Sequence, residues 1–210
     1  VTSMSFGDIP IMTEDLPEGG IGTFSPSFSN IGVSYAKAFS NSIYAGFTLR
    51  LISESISNVK ATGVAFDAGI RYVTGEDDNM RFGISLRNVG PPMRYAGDGL
   101  TVTATPQGSA NSLTTLQRSE RYELPSLVNI GVAYDVLRSE NMVLELNGMF
   151  TSNSFTKDQF GFGVETRIGD NLELRAGYLW EQGLFSEDNA TTAYTGPAGG
   201  LTLKVPAGSN

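Results

Sequence analysis

The chain has 210 residues, of which 14 are Lys or Arg and 22 are Asp or Glu, for a formal net charge of −8. It contains no Cys and no His, which excludes disulfides, thiolate metal sites and cysteine nucleophiles and removes the commonest zinc ligand and the usual general base. The acidic balance argues against nucleic acid as a partner, because phosphate binding needs clustered Lys and Arg.

Ten segments alternate between apolar and polar side chains, and each is predicted to form a β-strand. Between positions 64 and 72, for example, Val64, Phe66 and Ile70 fall on one face, and Asp67 and Arg71 fall on the other. Successive side chains of a strand point to opposite faces, so each segment has an apolar face and a face of small or charged residues. In chain order the predicted strands lie near 1–7, 29–38, 43–53, 62–74, 80–89, 127–137, 142–151, 159–168, 172–181 and 195–205.

The lengths and connections of these strands predict a membrane barrel. Most are about ten residues long, as a tilted transmembrane strand requires, whereas globular strands centre near 5–6 residues. Short turns at 39–42, 75–79, 138–141 and 169–171 alternate with longer loops at 8–28, 54–61, 90–126, 152–158 and 182–194. The predicted fold is therefore all-β, an antiparallel up-and-down transmembrane β-barrel with periplasmic short turns and extracellular long loops.

A soluble barrel or sandwich is the main alternative, because its strands also alternate. Such a fold would bury mid-strand charges in a dry core at a cost of several kcal/mol for each ion, whereas a wet lumen solvates them. Aromatic residues near strand ends, such as Tyr72, Tyr134 and Trp180, also suit a membrane interface. We predict that the apolar face contacts lipid and that these charges face the lumen: Arg50, Asp67, Arg71, Arg81, Arg87, Asp135, Glu145, Glu165, Arg167, Glu173 and Arg175.

No motif in the sequence supports catalysis, a cofactor or a metal site. Ser57-Asn58-Val59-Lys60 has the spelling of a serine acyl enzyme, but that chemistry needs Ser and Lys one helical turn apart, and this segment lies between strands. Glu76-Asp77-Asp78 has too few ligands for a calcium loop and is interpreted as a solvated turn. We predict that the protein is not an enzyme.

Apolar residues in the long loops are the candidate contacts for a partner protein. Exposed apolar side chains at a rim either bind a partner or pack on their own barrel. The outer loops, with Glu181 at the rim, carry twelve acids and five bases, so a partner with a basic patch is favoured. The candidate residues are Ile9, Ile11, Met12, Met93, Tyr95 and Phe185.

Several strand and loop segments resemble those of the PorV/PorQ family of the type IX secretion system. These segments are FGDIPIMTE at 6–14, GTF at 22–24, IGVSYA at 31–36, GVAFDAG at 63–69, FGISLRNVGP at 82–91 and LELRAGY at 172–178. The resemblance spans nearly all 210 residues. Because these segments are typical of barrel strands, they indicate the family better than they indicate a functional site.

The resemblance implies a FadL-like outer-membrane barrel of fourteen strands in Bacteroidota, of which this sequence contains ten. Residues 1–210 would then form a single barrel domain that is incomplete at both ends. It also implies a non-enzymatic shuttle that binds the translocon barrel and the C-terminal domains of secreted cargo and passes the cargo to the surface attachment complex. The alternatives are a FadL-like transporter of hydrophobic small molecules and a purely structural barrel.

Overall fold

The computed structural model describes residues 1–105, 107–108, 110–182 and 195–205. Within them, two short 3₁₀ helices (Glu76–Asp78 and Asp98–Leu100) accompany fifteen strands. No helix in these ranges is long and apolar enough to span a membrane. The strands are β1 (Thr2–Ser5), β2 (Ile9–Pro10), β3 (Thr23–Phe24), β4 (Ser27–Ala38), β5 (Ile43–Ile56), β6 (Val59–Thr74), β7 (Met80–Val89), β8 (Tyr95–Ala96), β9 (Thr101–Ala104), β10 (Leu113–Leu116), β11 (Leu127–Arg138), β12 (Met142–Asn153), β13 (Gln159–Ile168), β14 (Leu172–Glu181) and β15 (Gly196–Leu203).

Eleven strands form one antiparallel sheet, so the all-β prediction is confirmed. Its order is β1-β4-β5-β6-β7-β11-β12-β13-β14-β15, and β8 pairs with β6 beside this path. Each of the ten predicted strands overlaps one strand on the path. Strands that are neighbours on the path are also neighbours among the predicted strands in sequence, as in an up-and-down arrangement. Two further sheets have two strands each, β2 with β3 and β9 with β10.

The predicted loop at 54–61 is wrong. β5 continues to Ile56 and β6 begins at Val59, so Ser57 and Asn58 alone connect them. Ser57 has a φ of 51°, the left-handed conformation that a tight turn requires. The polar residues around Glu54 predict a loop. In the structure Glu54 lies within β5, where the hydroxyls of Tyr95 and Tyr122 donate hydrogen bonds to its carboxylate.

Contacts divide the chain into two compact units that cut across individual strands. The first comprises residues 1–34, 48–66 and 89–124. It contains a small core of Ile52, Ala61, Ala65, Met93 and Leu124, against which Phe28, Tyr95 and Tyr122 pack.

The second unit comprises residues 35–47, residues 67–88 and the described part of 125–210. The β13–β14 pairing is regular from Gln159↔Glu181 to Ile168↔Leu172. The β11–β12 pairing contains one register shift, between Asp135 and Leu137, which is typical of a β-bulge.

The sheet has an apolar face that is exposed and an opposite face where the charged residues lie. In the second unit Ile84 is 50% exposed, Ile130 46% and Phe162 65%, whereas Asp135 on the other face is 4% exposed. In the first unit Leu51 is likewise exposed, and its neighbour Ile52 is buried. A sheet that folds in water covers its apolar side, so this distribution is the reverse of the usual one.

Candidate functional site

A network of ion pairs runs along the charged face of the second unit, near the ends of the strands that the short turns join. Arg81 on β7 reaches Asp135 on β11 and Glu145 on β12, each at 2.5 Å. Arg167 on β13 lies 2.9 Å from the same Glu145. Each of these side chains therefore connects neighbouring strands, and we call the whole set the charge ladder.

The charge ladder continues across β13, β14 and the end of β15. Glu165 lies 3.2 Å from Arg167 and 2.7 Å from Arg175. Arg175 also pairs with Glu173, which lies 2.5 Å from the Lys204 ammonium. Glu145 and Glu165 sit directly opposite each other in the β12–β13 register, an unfavourable position for like charges unless cations lie between them. Arg81, Arg167 and Arg175 supply those cations.

Arg138 belongs to the charge ladder, whereas the sequence predicts a turn at 138–141. It pairs with Asp135, whose side chain is completely buried. Residues three apart on a regular strand face opposite sides, but the bulge after Asp135 inserts one residue and returns Arg138 to the charged face. A bulge has no period-2 signal, so the alternation could not reveal this partner.

The structure thus brings together seven of the eleven residues assigned to the lumen: Arg81, Asp135, Glu145, Glu165, Arg167, Glu173 and Arg175. The other four have different surroundings. Asp67 accepts a hydrogen bond from the Asn88 backbone N–H at 2.7 Å, and Arg50 passes over Gly32. Arg71 lines a groove described below, and Arg87 is exposed on β7.

The groove is a shallow cavity of about 630 Å³ in the second unit. Its floor consists mainly of small residues, including Gly46, Gly69, Gly83 and Gly131, and its polar groups include Arg71. Gly83 and Gly131 face each other in the β7–β11 register, so neither strand fills the space with a side chain. The groove offers a mainly apolar surface whose lining includes two cationic side chains, Lys37 and Arg71.

A second polar cluster, in the first unit, surrounds the carboxylate of Glu54. The hydroxyls of Tyr95 and Tyr122 both donate to Glu54 Oε2, at 2.7 and 2.8 Å. The two rings stack with their centroids 5.7 Å apart. Burial, together with the hydrogen bond to the Glu54 carboxylate, raises the pKa of both phenols above the ordinary value, so both stay protonated as donors at neutral pH.

No protein-family model and no curated protein matches this chain. The features that bear on its function are the charge ladder, the groove, the Glu54 cluster and the loops. In the described ranges no group of three or more Asp or Glu residues is placed to hold a metal ion.

The candidate partner-binding residues have different surroundings in the structure. Met12 is 61% exposed and Ile9, on β2, is 39% exposed, while Ile11 is half-buried. Met93 is 2% exposed within the core, which corrects the expectation that it is available on the rim. Tyr95 is half-buried against that core, and Phe185 lies outside the described residues.

Two further exposed apolar residues of the 8–28 loop, Leu16 and Ile21, are not among the candidates that the sequence predicts. Leu16 is 51% exposed and Ile21 is 52% exposed. The same loop carries Asp8, Glu14, Asp15 and Glu18 and no basic residue. Their apolar character within a predicted loop is the sequence feature that could have identified both as candidates. The loop presents apolar side chains in an acidic setting.

Proposed function

We propose that the chain is part of an outer-membrane β-barrel whose apolar face contacts lipid. The observation that carries this proposal is the exposed apolar face of an antiparallel sheet whose opposite face holds a network of ion pairs. In water, a contiguous exposed apolar face is costly and promotes aggregation, whereas in a bilayer it is the expected surface. A polar lumen solvates the charged face.

The dimensions of the long strands support the same proposal. The ten-residue strands β13 and β14 are long enough to cross an apolar band of about 25 Å at the usual tilt. At the ends of these strands near the long loops, the ring of Phe160 packs between Phe150 and Trp180, with centroid distances of 4.9 and 5.8 Å. Such a row of aromatic rings suits the headgroup level of a membrane.

Within this barrel, we assign the role of a PorV-like cargo shuttle of the type IX secretion system. The support is the resemblance of its strand and loop segments, and the protein acts through surfaces without catalysing a reaction. The translocon barrel contacts the lipid-facing wall, and the C-terminal domains of secreted cargo contact the outer loops. The acidic 8–28 loop with its exposed Met12, Leu16 and Ile21 is the docking surface for cargo.

Affinity capture from detergent-solubilised outer membranes tests this function. The full-length protein should bring down the translocon barrel and secreted cargo. A triple substitution of Met12, Leu16 and Ile21 to Ser should reduce cargo capture at least tenfold, because apolar anchors dominate binding energy. Val102→Ser is the matched control, since it removes an exposed apolar residue from another loop. Wild-type cargo capture by the triple variant would refute this docking surface, and absence of both partners from the wild type would refute the shuttle.

Transport of hydrophobic small molecules is the second candidate function, and the groove favours it. Its small-residue floor and the Arg71 guanidinium would suit an apolar chain with an anionic end. Native mass spectrometry of the purified barrel separates the two functions. A transporter retains an acyl ligand that Gly83→Leu and Gly131→Leu expel, whereas a shuttle retains protein subunits.

A further inference from the structure

The legs of the 90–126 segment lie against β5 and β6 in the first unit. We call residues 90–98 and 118–124 the strap. The two legs hold each other through a backbone bridge, in which Met93 N donates to Tyr122 O at 2.8 Å and Tyr122 N donates to Met93 O at 2.9 Å. Ser119 Oγ also donates to Tyr95 O at 2.8 Å. The strap is therefore a paired, ordered element.

The strap fits a surface that the sheet leaves open for it. A Cβ at Gly63 would lie 2.5 Å from Met93 Cγ, so the Met93 side chain occupies the space that glycine leaves. A Cβ at Gly90 would lie 2.1 Å from the Val64 carbonyl oxygen, so the strap backbone also passes close to β6. Two glycines thus permit the contact, one on each partner.

The side chains of the strap divide into two sets. Met93 and Leu124 are buried with Ile52, Ala61 and Ala65, and Tyr95 and Tyr122 bind Glu54. The charged residues of the strap, by contrast, are exposed: Arg94, Asp98, Arg118, Glu120, Arg121 and Glu123. One side of the strap is apolar and packs on the sheet, and the other side is exposed to solvent.

The docking surface belongs to the charged face, because Ile52 and Glu54 share the parity of Arg50 along β5. If the sheet closes into the proposed barrel, this face lines the lumen, and the strap lies inside it near the long-loop rim. We propose that the strap is a gate that narrows this mouth and leaves the lumen when the protein opens. This inference rests on the proposed barrel and does not depend on the cargo-shuttle role.

The attachment of the strap is suited to reversible release. A small apolar core holds it, together with one carboxylate that accepts from two phenols. Undocking would expose modest apolar area and return Glu54 and both tyrosines to water, where water replaces their hydrogen bonds. A gate of this kind is biased by small changes at Glu54 or Met93.

A redox lock tests the gate. The full-length protein with Gly63→Cys and Met93→Cys has no other cysteine within this chain, and the two positions are close enough for a disulfide. In planar bilayers, the oxidised protein should conduct KCl at least tenfold less than the same molecules after reduction. Single-cysteine variants should show no redox response. A formed disulfide with equal conductance before and after reduction would overturn the gate, as would failure of the cysteines to cross-link.

Substitutions of Glu54 test the gate independently of the disulfide. Glu54→Ala removes the acceptor of both tyrosines and should raise the open fraction severalfold, whereas Glu54→Gln retains an acceptor and should stay near wild type. An unchanged open fraction in Glu54→Ala contradicts the gate. Heat-modifiable migration on gels tests the proposed barrel separately. Absence of heat-modifiable migration would refute the membrane fold. A protein that shows this migration, but whose conductance responds neither to the disulfide nor to the Glu54 substitutions, would refute the gate alone.

Discussion

At the scale of single residues, Asp135 shows how the charged face is stabilised. Its side chain is completely buried between Arg81 and Arg138, and it lies beside a bulge that exists only in the folded sheet. Such a carboxylate loses its hydration on folding and regains that energy only through its partners. Its removal leaves Arg138 without a partner in the charge ladder, while Arg81 keeps Glu145.

We expect Asp135→Ala to lower the free energy of unfolding by about 3 kcal/mol, the lower end for breaking a buried pair, because Arg81 keeps Glu145. The measurement is urea unfolding in lipid vesicles followed by tryptophan fluorescence. Glu140→Ala, in the exposed turn beside the same strand, is the matched control and should change stability by less than about 0.5 kcal/mol. Equal effects of the two substitutions would show that the ladder does not stabilise the fold.

Ile130 tests which solvent the apolar face meets. It is 46% exposed on β11, so Arg at this position would face lipid in a membrane and water in a soluble sheet. We expect Ile130→Arg to cost about 2–4 kcal/mol near the bilayer midplane. Vesicle unfolding measures this, with Ile130→Leu as the conservative control. A near-neutral Ile130→Arg would count against the membrane assignment.

At the scale of elements, the two kinds of connection differ in what they contain. The turn after β13 is made by Gly169 and its neighbours, and Gly169 has a φ of 57°, which suits a tight reversal. The described part of the long 90–126 connection instead holds three short strands and a 3₁₀ helix. If the proposed barrel spans the membrane, we expect its short turns on the periplasmic side and its long connections on the extracellular side.

Cysteine labelling of intact cells measures this orientation. Gln107 lies in the 90–126 segment and Asp170 in the turn after β13, and both are exposed. We expect an impermeant maleimide to label Gln107→Cys strongly and Asp170→Cys only after the outer membrane is permeabilised. Comparable labelling of the two variants in intact cells would reverse or remove the assigned topology.

At the scale of the whole molecule, charge is distributed unevenly between the sheet and its loops. The charge ladder contains five bases and four acids, whereas the chain as a whole has a net charge of −8. The surplus of acids therefore lies outside the ladder, and the 8–28 loop holds four of them. A partner of the loops meets an acidic surface with apolar anchors.

The association rate with cargo should therefore fall as salt rises. Between about 0.05 M and about 0.5 M NaCl, we expect a decrease of roughly tenfold, because the Debye length shortens severalfold. Surface plasmon resonance of the detergent-solubilised protein measures the rate. Asp15→Asn combined with Glu18→Gln should flatten the salt dependence, and Asp170→Asn should leave it unchanged. A rate that ignores salt would show that charge does not steer this encounter.

The sequence by itself determined the strands, because alternation has a period of two that survives any arrangement of the sheet. β7, β13 and β14 match the predicted spans at both ends, and the segregation of apolar from charged side chains follows from the same parity. It also excluded cysteine and imidazole chemistry through composition alone. These features are local, so neighbouring residues are sufficient to specify them.

Only the tertiary structure decided where side chains meet. The bulge that returns Arg138 to Asp135 and the tight turn at Ser57 form only when neighbouring strands pair, and the burial of Met93 over Gly63 joins residues thirty positions apart in the chain. The alternation of apolar and polar residues does not reveal an inserted residue. It also predicts a loop at the polar end of β5, because the tyrosines that donate hydrogen bonds to Glu54 are distant in sequence. Strand pairing, packing and hydrogen bonding set these contacts, and they exist only in the folded sheet.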